Sequence, residues 1–535
     1  MSPQYIVAHD VGTGGNKAVL ADTEGKVYAS AFQPYAVHYP RPDWAEQEPE
    51  DWWRAVATTT RQVLERSGVA PRDVVACVFM TQMIGIVPMG RVGAGAGPAP
   101  SATEGPALSL PATYEPLRPA IIWLDGRAPQ QAERIMRRFL GPQVFALVAG
   151  TPLSGKDGLP KLLWLKEKEP QVYDRMACFL DVNGYLTYRA TGQMVFEWSC
   201  ASAFCLDLKS KDWMRGIIRY IGLDQAKFPP LVRSTDRVGG MTAEAARECG
   251  LLEGTPVFGG GGDAPGAAVG SGAVGEGDGH IYLGTSGWVG VVTRKTPTGR
   301  HGVVSIQSSD PNKALLFAEM ETAGACLKWV ADEFYQAEQA DPHVPNVYAL
   351  MDEKVGTVPP GADFLICTPW MYGERSPVSD TWVRSTFFNL SADHTREHLL
   401  RAVYEGVAYN LRWMIEIVEK HFGFPMPALR VIGGGALGGP WMQIIADVTG
   451  RRVETVANPQ EAGAVGAALT AAVGLGVYPD FEALKQVVHV AREFEPQPCN
   501  AETYDCLYRA YRRIYGCLRE LYREVNEVRF GECKQ

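Results

Sequence analysis

Asp263 follows four consecutive glycines, Gly259 to Gly262, and precedes the small-residue run Ala264-Pro265-Gly266-Ala267-Ala268. A carboxylate there, with a helix start behind it, is placed to take a proton from a hydroxyl as that oxygen attacks phosphorus. Alone it reads equally as a helix N-cap. Two glycine-threonine turns accompany it, Asp10-Val11-Gly12-Thr13-Gly14-Gly15 and Leu283-Gly284-Thr285-Ser286-Gly287. Converging backbone N–H groups in such a loop form an anion nest, and the hydroxyls of Thr13, Thr285 and Ser286 add donors. Either turn by itself reads as an ordinary hairpin. Asp10, at the end of the first apolar run, is a hard oxygen ligand suited to Mg2+; its plain reading is a turn cap. Taken together, these residues are suited to holding a polyphosphate from two sides beside a base.

Two further glycine patterns compete for attention. Gly150 to Asp157 reads G-x-x-x-x-G-K-D, but Asp157 stands where a Walker loop needs a hydroxyl, so the match is read as chance. Gly433, Gly435 and Gly438 form G-x-G-x-x-G after an apolar run, with Glu454 further on. That is a dinucleotide fingerprint and supports a second hypothesis, an NAD-linked oxidoreductase. It leaves Asp263 and the two turns unexplained.

The elements that must carry these residues can be read from periodicity. Tyr5 to His9 and Lys17 to Ala21 flank the first turn as a β-hairpin. Asp51 to Arg66 has helical spacing of Trp52, Ala55, Val56 and Val63. Val74 to Met80 reads as a buried strand, Ile121 to Trp123 as another, and Pro160 to Leu165 as a helix opening. Residues 92–111 are rich in Gly, Ala and Pro and read as a surface insertion. A new strand near Pro256 and Val257 sets the expected domain boundary, giving domains 1–254 and 255–535. The second half repeats strand, glycine turn, strand over His280 to Leu283 and Val289 to Thr293, a likeness too short to prove duplication. A helix over Glu397 to Val418, a strand over Leu429 to Ile432 and a helix from Trp441 follow. Ala501 to Arg529 carries an apolar and aromatic stripe read as an amphipathic core-packing helix. The mixture predicts an α/β architecture.

Composition narrows the class. Net charge is -9 across 535 residues, which argues against a broad surface for nucleic acid or anionic membrane. Hydrophobic content of 46% and charged content of 21% suit a soluble enzyme. The 11 cysteines form no C-x-x-C pair, and no secretory signal or membrane span is evident. Reduced thiols and a cytoplasmic location are expected.

In their order along the chain, these motifs resemble the FGGY family of carbohydrate kinases, and within it the xylulokinase-like members. The resemblance rests on Asp10 to Gly14, Gln82-Met83-x-Gly85, Trp123-x-Asp125-Gly126-Arg127, Pro160 to Trp164 and Gly260 to Asp263. It continues through Gly284-Thr285-Ser286, Gly373 to Pro377, Arg401-Ala402-x-x-Glu405-Gly406, and Gly433-Gly434-Gly435 followed by Trp441, Gln443 and Ala446-Asp447. It spans nearly the whole chain outside the insertion.

The resemblance implies two actin-like (ribonuclease-H-like) domains flanking a central cleft, with ATP and Mg2+ mainly against the second and a small sugar or polyol against the first. It implies Asp263 as general base and Asp10 near Mg2+. It implies Gln82, Met83, Trp123 and Asp125, with Asp263, on the sugar side, and Gly12, Thr13, Gly284, Thr285 and Ser286 at the phosphates. Gly324, Lys328, Gly434, Gly435 and Ala436 would line the nucleotide pocket. Three departures stand out: Ile84 where xylulokinases typically carry His, Ala264 where they carry Asn, and Ala436-Leu437-Gly438-Gly439 where polar residues usually follow the third glycine. The first two are expected to remove polar groups near the sugar, so that D-xylulose ranks below another ketose or polyol. The alternatives are the oxidoreductase and a non-catalytic sugar-binding relative. A homodimer is kept open.

Overall fold

The first glycine-threonine turn joins Tyr5–Val11 antiparallel to Gly15–Asp22, which pairs antiparallel with Val27–Pro34. Tyr5–Val11 pairs on its other edge with Val74–Thr81, in parallel, and that strand pairs in parallel with Pro256–Gly262. The antiparallel edge strand Arg237–Gly240 completes a six-stranded sheet. This is the arrangement in a computed structural model that describes residues 4–92 and 114–531.

The second sheet repeats the plan. Gly279–Leu283 and Gly287–Thr293 form its central hairpin, extended antiparallel by Ala314–Met320. Gly279–Leu283 then pairs in parallel with Ala428–Ile432, which pairs in parallel with Arg452–Val456. Edge strands Val303–Gln307 and Val490–Phe494 bring it to seven strands. In each sheet a three-stranded meander continues, from its first strand, into two parallel strands. This shared plan is the ribonuclease-H-like, actin-like fold. It gives the short repeat of Gly-Thr hairpins a structural counterpart.

The boundary expected at residue 254 is corrected by this pairing. Pro256–Gly262 belongs to the first sheet because its partner is Val74–Thr81, far earlier in the chain. The division between the sheets falls after Gly262 and before Gly279. The strand expected through Trp123 is also shorter: Ala120–Ile121 is extended, and the chain then turns, with Asp125 N–H donating to the Ile122 carbonyl at 3.1 Å. The insertion expected over residues 92–111 lies, past Val92, outside the described residues.

Two helices lie between the sheets. Asp263–Gly270 follows the glycine run, and Ala462–Gly474 packs against it. A Cβ on Gly270 would sit 1.8 Å from the Ala462 carbonyl oxygen, and one on Gly466 would sit 1.9 Å from that of Gly266. Ala462–Gly474 then lays Ala464, Ala467, Ala468, Ala471 and Ala472 against Ile6, Ala8, Val19, Val78 and Met80 of the first sheet. A helix apolar on all sides belongs between layers.

The final helix, Ala501–Gly531, buries Tyr504, Leu507, Tyr508, Tyr511 and Ile514 in the core of the second half, as its stripe predicts. Leu521 and Val525 remain exposed. Among the described residues no helix is long and apolar enough to cross a membrane. The ten described cysteines form no disulfide.

Candidate active site

The glycine run threads a crowded passage. A Cβ on Gly259 would sit 2.2 Å from the Arg233 carbonyl oxygen, and one on Gly260, at φ +68°, 2.0 Å from that of Phe79. At Gly261 (φ +140°) it would meet Ser199 Oγ at 2.7 Å, and at Gly262 the Met83 sulfur at 2.6 Å. The strand's register shifts within this run. Glycine is needed here for backbone approach and for left-handed φ. The passage ends by setting Asp263 at the start of its helix.

A buried carboxylate fixes the backbone at that point. Glu197 accepts from the backbone N–H of Ser199 at 2.7 Å and of Cys200 at 3.2 Å, and from Ser234 Oγ at 2.7 Å. It also accepts from Ser199 Oγ, which in turn accepts from Gly262 N–H at 2.9 Å. All four contacts donate to Glu197, so the network requires two acceptor oxygens. Glu197→Gln replaces one of them with an amide donor. It is expected to destabilise the fold by about 1–3 kcal/mol, the cost of stranding a buried partner. The urea unfolding midpoint checks this, and an unchanged midpoint refutes it.

Asp263 is largely buried, and among the described residues its side chain accepts from Ala264 N–H at 2.8 Å. Burial, the nearby Asp10 carboxylate and Glu319 push its pKa up to about 8. Asp10 is raised chiefly by burial, against the pull of Lys17. A Cβ on Gly463 would meet Asp10 Oδ2 at 2.5 Å, so Asp10 abuts the first turn of the helix Ala462–Gly474. Lys17 Nζ donates to the Gln460 carbonyl at 2.6 Å, tying the first hairpin to the same segment. Burial raises the Tyr282 phenol, and both Asp10 and Asp263 add to the rise. The two carboxylates and the base of the second hairpin therefore share one region.

On the first-domain side the expected residues form a network. Trp123 Nε1 donates to Thr13 Oγ1 at 2.7 Å, and Thr13 Oγ1 donates to Gln82 Oε1 at 3.3 Å. Gln82 Nε2 donates to Gln47 Oε1 at 2.7 Å, and Gln47 Nε2 to the Thr13 carbonyl at 2.8 Å. The Thr13 hydroxyl, expected at the phosphates, thus meets Trp123 and Gln82, two residues expected on the sugar side. Gly12 closes the turn by donating to the Gly15 carbonyl at 3.0 Å.

Met83 packs on Gly262 and on the cluster around Trp288. Asp125 is fully buried: it accepts from Ala45 N–H at 2.7 Å and from Arg127 Nη2 at 2.6 Å and Nε at 2.8 Å. It ties the turn after Ile121 to the segment at Ala45. Lys161 lies beside this turn, its Nζ donating to the Ile122 carbonyl, and burial lowers its pKa to about 7.

From the other side Arg375 reaches in. Its guanidinium lies 5.3 Å from the Trp123 ring and pairs with Glu319 at 2.5 Å and Glu321 at 2.8 Å. Lys156 Nζ also reaches Glu321, at 3.2 Å. Gln47, Glu197 and Ser199 carry no local sequence signal. Arg375 lies inside the Gly373–Pro377 motif and was legible there.

Around the second turn the backbones close tightly. Gly284 N–H donates to the Ser286 carbonyl at 3.0 Å. Gly324 N–H donates to the Gly284 carbonyl at 2.8 Å, and Ala323 and Ala325 N–H to that of Thr285 at 3.0 Å. The Thr285 backbone is thus anchored to the helix Gly324–Phe334. A Cβ on Gly433, at φ +91°, would sit 2.6 Å from the Leu283 carbonyl oxygen. Gly435 packs on Trp441, Ala436 is buried, and Gly434 faces open space. Lys328 is on the exposed face of its helix and pairs with Asp332 at 2.6 Å.

The departures resolve differently. Ala264 is buried in the cluster with Trp288, so the expected loss of a polar group at the sugar does not occur through its side chain. Ile84 is half-exposed at φ +61°, a left-handed conformation unusual for a β-branched residue. The run Gly150 to Asp157 is no phosphate loop: Ser154 N–H caps on Asp157 at 2.5 Å, and the Gly150 carbonyl accepts from Gly299 N–H at 2.7 Å.

Two ribonuclease-H-like sheets, each built on a glycine-turn hairpin, with Asp10 and Asp263 near each other, are an arrangement suited to phosphoryl transfer. Comparison with known sequences gives the family. The N-terminal domain of the FGGY family of carbohydrate kinases matches residues 5–94 and 101–270, and the C-terminal domain residues 279–475. The chain belongs to this family and is a carbohydrate kinase, transferring phosphate from ATP to an alcohol group.

The xylulose kinase of Bacillus subtilis (strain 168) is 30% identical over 521 residues, 97% of this chain and 98% of that protein. The xylulose kinase of Lactococcus lactis subsp. lactis (strain IL1403) is 30% identical over 526 residues, 98% and 99% of the two chains. The crystal structure of xylulose kinase from Rhodospirillum rubrum is 27% identical, with a TM-score of 0.81 and coverage of 97% of this chain and 100% of that one. The oxidoreductase reading is set aside. Gly433 to Gly438 lies within the matched C-terminal domain, and Glu454 is occupied by Arg430 at 3.3 Å and Arg452 at 3.1 Å.

Proposed function

We propose that this kinase phosphorylates a small ketose or polyol, with Asp263 as the general base. The observation that carries this is the Asp263 carboxylate itself. It is largely buried, accepts a side-chain hydrogen bond only from Ala264 N–H among the described residues, and is held as a strong base by burial and by Asp10. A base poised near neutral pH accepts the acceptor hydroxyl's proton as the oxygen attacks. The network of Gln82, Gln47, Thr13 and Trp123 holds the sugar side, and Arg375 lies across from it over Trp123. The turns at Gly12–Thr13 and Gly284–Ser286 present backbone to phosphate from opposite sheets. The setting is the cytoplasm, which suits free thiols.

Mg2+ fits the site on chemical grounds. Asp10 and Asp263 are neighbouring acids with raised pKa and little opposing charge, and Asp10 accepts no hydrogen bond among the described residues. Among those residues no cluster of three or more His, Cys, Asp or Glu side chains can chelate a metal alone. That suits an ion bound largely by nucleotide phosphates, with Asp10 as the protein's oxygen ligand. When bound, the ion neutralises charge developing on the transferring phosphate.

An ADP-release assay across ketoses, aldoses and polyols tests the reading. At least one acceptor is expected to give Mg2+-dependent turnover; none doing so refutes it. Ile84 places an apolar, conformationally fixed side chain at the sugar-side motif. A site without a polar partner does not reward a hydroxyl placed there. D-Xylulose is therefore expected to show a lower kcat/KM than the best acceptor, and its ranking first would refute this.

A further inference from the structure

The loop after the third glycine offers the nucleotide no polar side chain: it reads Ala436-Leu437-Gly438-Gly439. A carboxylate from another element enters the vacant space. Helix Val347–Val355 carries Asp352, half-exposed, beside this loop. A Cβ on Gly438 would sit 2.8 Å from Asp352 Oδ2 and 3.2 Å from Oδ1, so only a glycine there leaves room for the carboxylate. Tyr404 O–H donates to Oδ1 at 2.8 Å and fixes the group's orientation. Tyr404 is itself buried and packed on Trp441, which seats Gly435. Oδ2 accepts no hydrogen bond among the described residues. Next to it Leu437 is 54% exposed and Gly434 faces open space, leaving an apolar surface on which a flat ring can lie.

We propose that Asp352 reads the nucleobase, its Oδ2 accepting a hydrogen bond from the exocyclic 6-amino group of adenine. This inference rests on the reading of the Gly433–Gly438 loop as the nucleotide site. A carboxylate is an acceptor only. With Oδ1 committed to Tyr404, one oxygen remains, which matches the single amino group on adenine's edge. Guanine presents paired donors at N1 and the 2-amino group, which call for both oxygens. Asp352 thus supplies from a neighbouring helix the polarity that the loop lacks, and it acts on base selection rather than on phosphoryl transfer.

The test is calorimetric titration of the full chain with ADP, GDP and purine riboside 5′-diphosphate, which has hydrogen in place of the 6-amino group. No sugar is needed. The wild type is expected to bind ADP about tenfold or more tightly than the deaminated analogue, the usual scale for a charge-assisted hydrogen bond. Asp352→Ala is expected to weaken ADP to the level of the analogue and leave the analogue unchanged. Asp352→Asn keeps an acceptor oxygen and is expected to retain part of the preference. Equal binding of ADP and the analogue by the wild type, an ADP preference untouched in Asp352→Ala, or tighter binding of GDP than ADP would each overturn the assignment. Failure of the wild type to bind any of the three would overturn the nucleotide-site reading along with it.

Discussion

Asp263→Ala is expected to lower kcat by about 10²–10⁴-fold, the usual contribution of a general base, while nucleotide binding persists. Wild-type kcat/KM should fall tenfold per pH unit below about 8, because the free enzyme's base must be ionised. Residual activity of Asp263→Ala should lack that limb. Turnover near the wild-type rate would remove Asp263 from the mechanism.

The same residue carries a stability consequence of defined sign. An unfolded aspartate titrates near 3.8, whereas burial and Asp10 raise Asp263 to about 8 in the fold. Between those values the folded chain holds a proton that the unfolded chain has released. Stability from this group is full below about 3.8 and is lost as pH rises through about 8. Asp263→Asn removes the penalty. Its Tm advantage over the wild type should be near zero at pH 4 and largest above pH 8. A Tm advantage that shrinks with rising pH would contradict the environment described for Asp263.

Gly466→Val is expected to be strongly damaging although it touches neither carboxylate. Its Cβ would fall 1.9 Å from the Gly266 carbonyl oxygen and 2.7 Å from Gly270 N. Both obstacles are backbone, so no rotamer change relieves them. Overpacking a core costs about 1–3 kcal/mol, and a backbone obstacle places this case at or above the top of that range. The displaced helix is the one Asp263 begins. A shift of about 1 Å in a catalytic group costs on the order of 10²-fold in rate. Gly216→Ala, where a Cβ meets nothing within 4 Å, is the control and should behave as wild type. Wild-type urea midpoint and kcat in Gly466→Val would refute the close approach of the two helices.

The chemistry was legible in the sequence where it is written locally. The Gly-Thr turns, the aspartate after the glycine run and the strands on either side are contiguous patterns, and the family resemblance followed from their order. The boundary was misplaced because an apolar strand near Val257 looks the same whichever sheet it joins. Only its pairing with Val74–Thr81 decides, and that partner is distant in sequence. Trp123 was expected on a strand because Ile121 and Ile122 are apolar, but a turn aims its indole at Thr13. Gln47 and Glu197 were missed because each is a single residue whose meaning lies in donors from several segments. Asp125 showed as a motif residue, yet its bracing role became visible only with Arg127 and Ala45 in place.

The interleaving of the two halves also sets the order in which the chain can be completed during synthesis. The first sheet's face of Ile6, Ala8, Val19, Val78 and Met80 is covered by alanines of Ala462–Gly474. A nascent chain that has finished its first sheet still shows that face bare until most of the second half has emerged. Apolar surface of this kind is what recruits chaperones or drives aggregation in long chains. A fragment ending at residue 270 keeps every strand of the first sheet and still lacks its cover. The two large sheets are therefore tied together along the chain, the beginning covered by a helix near the end.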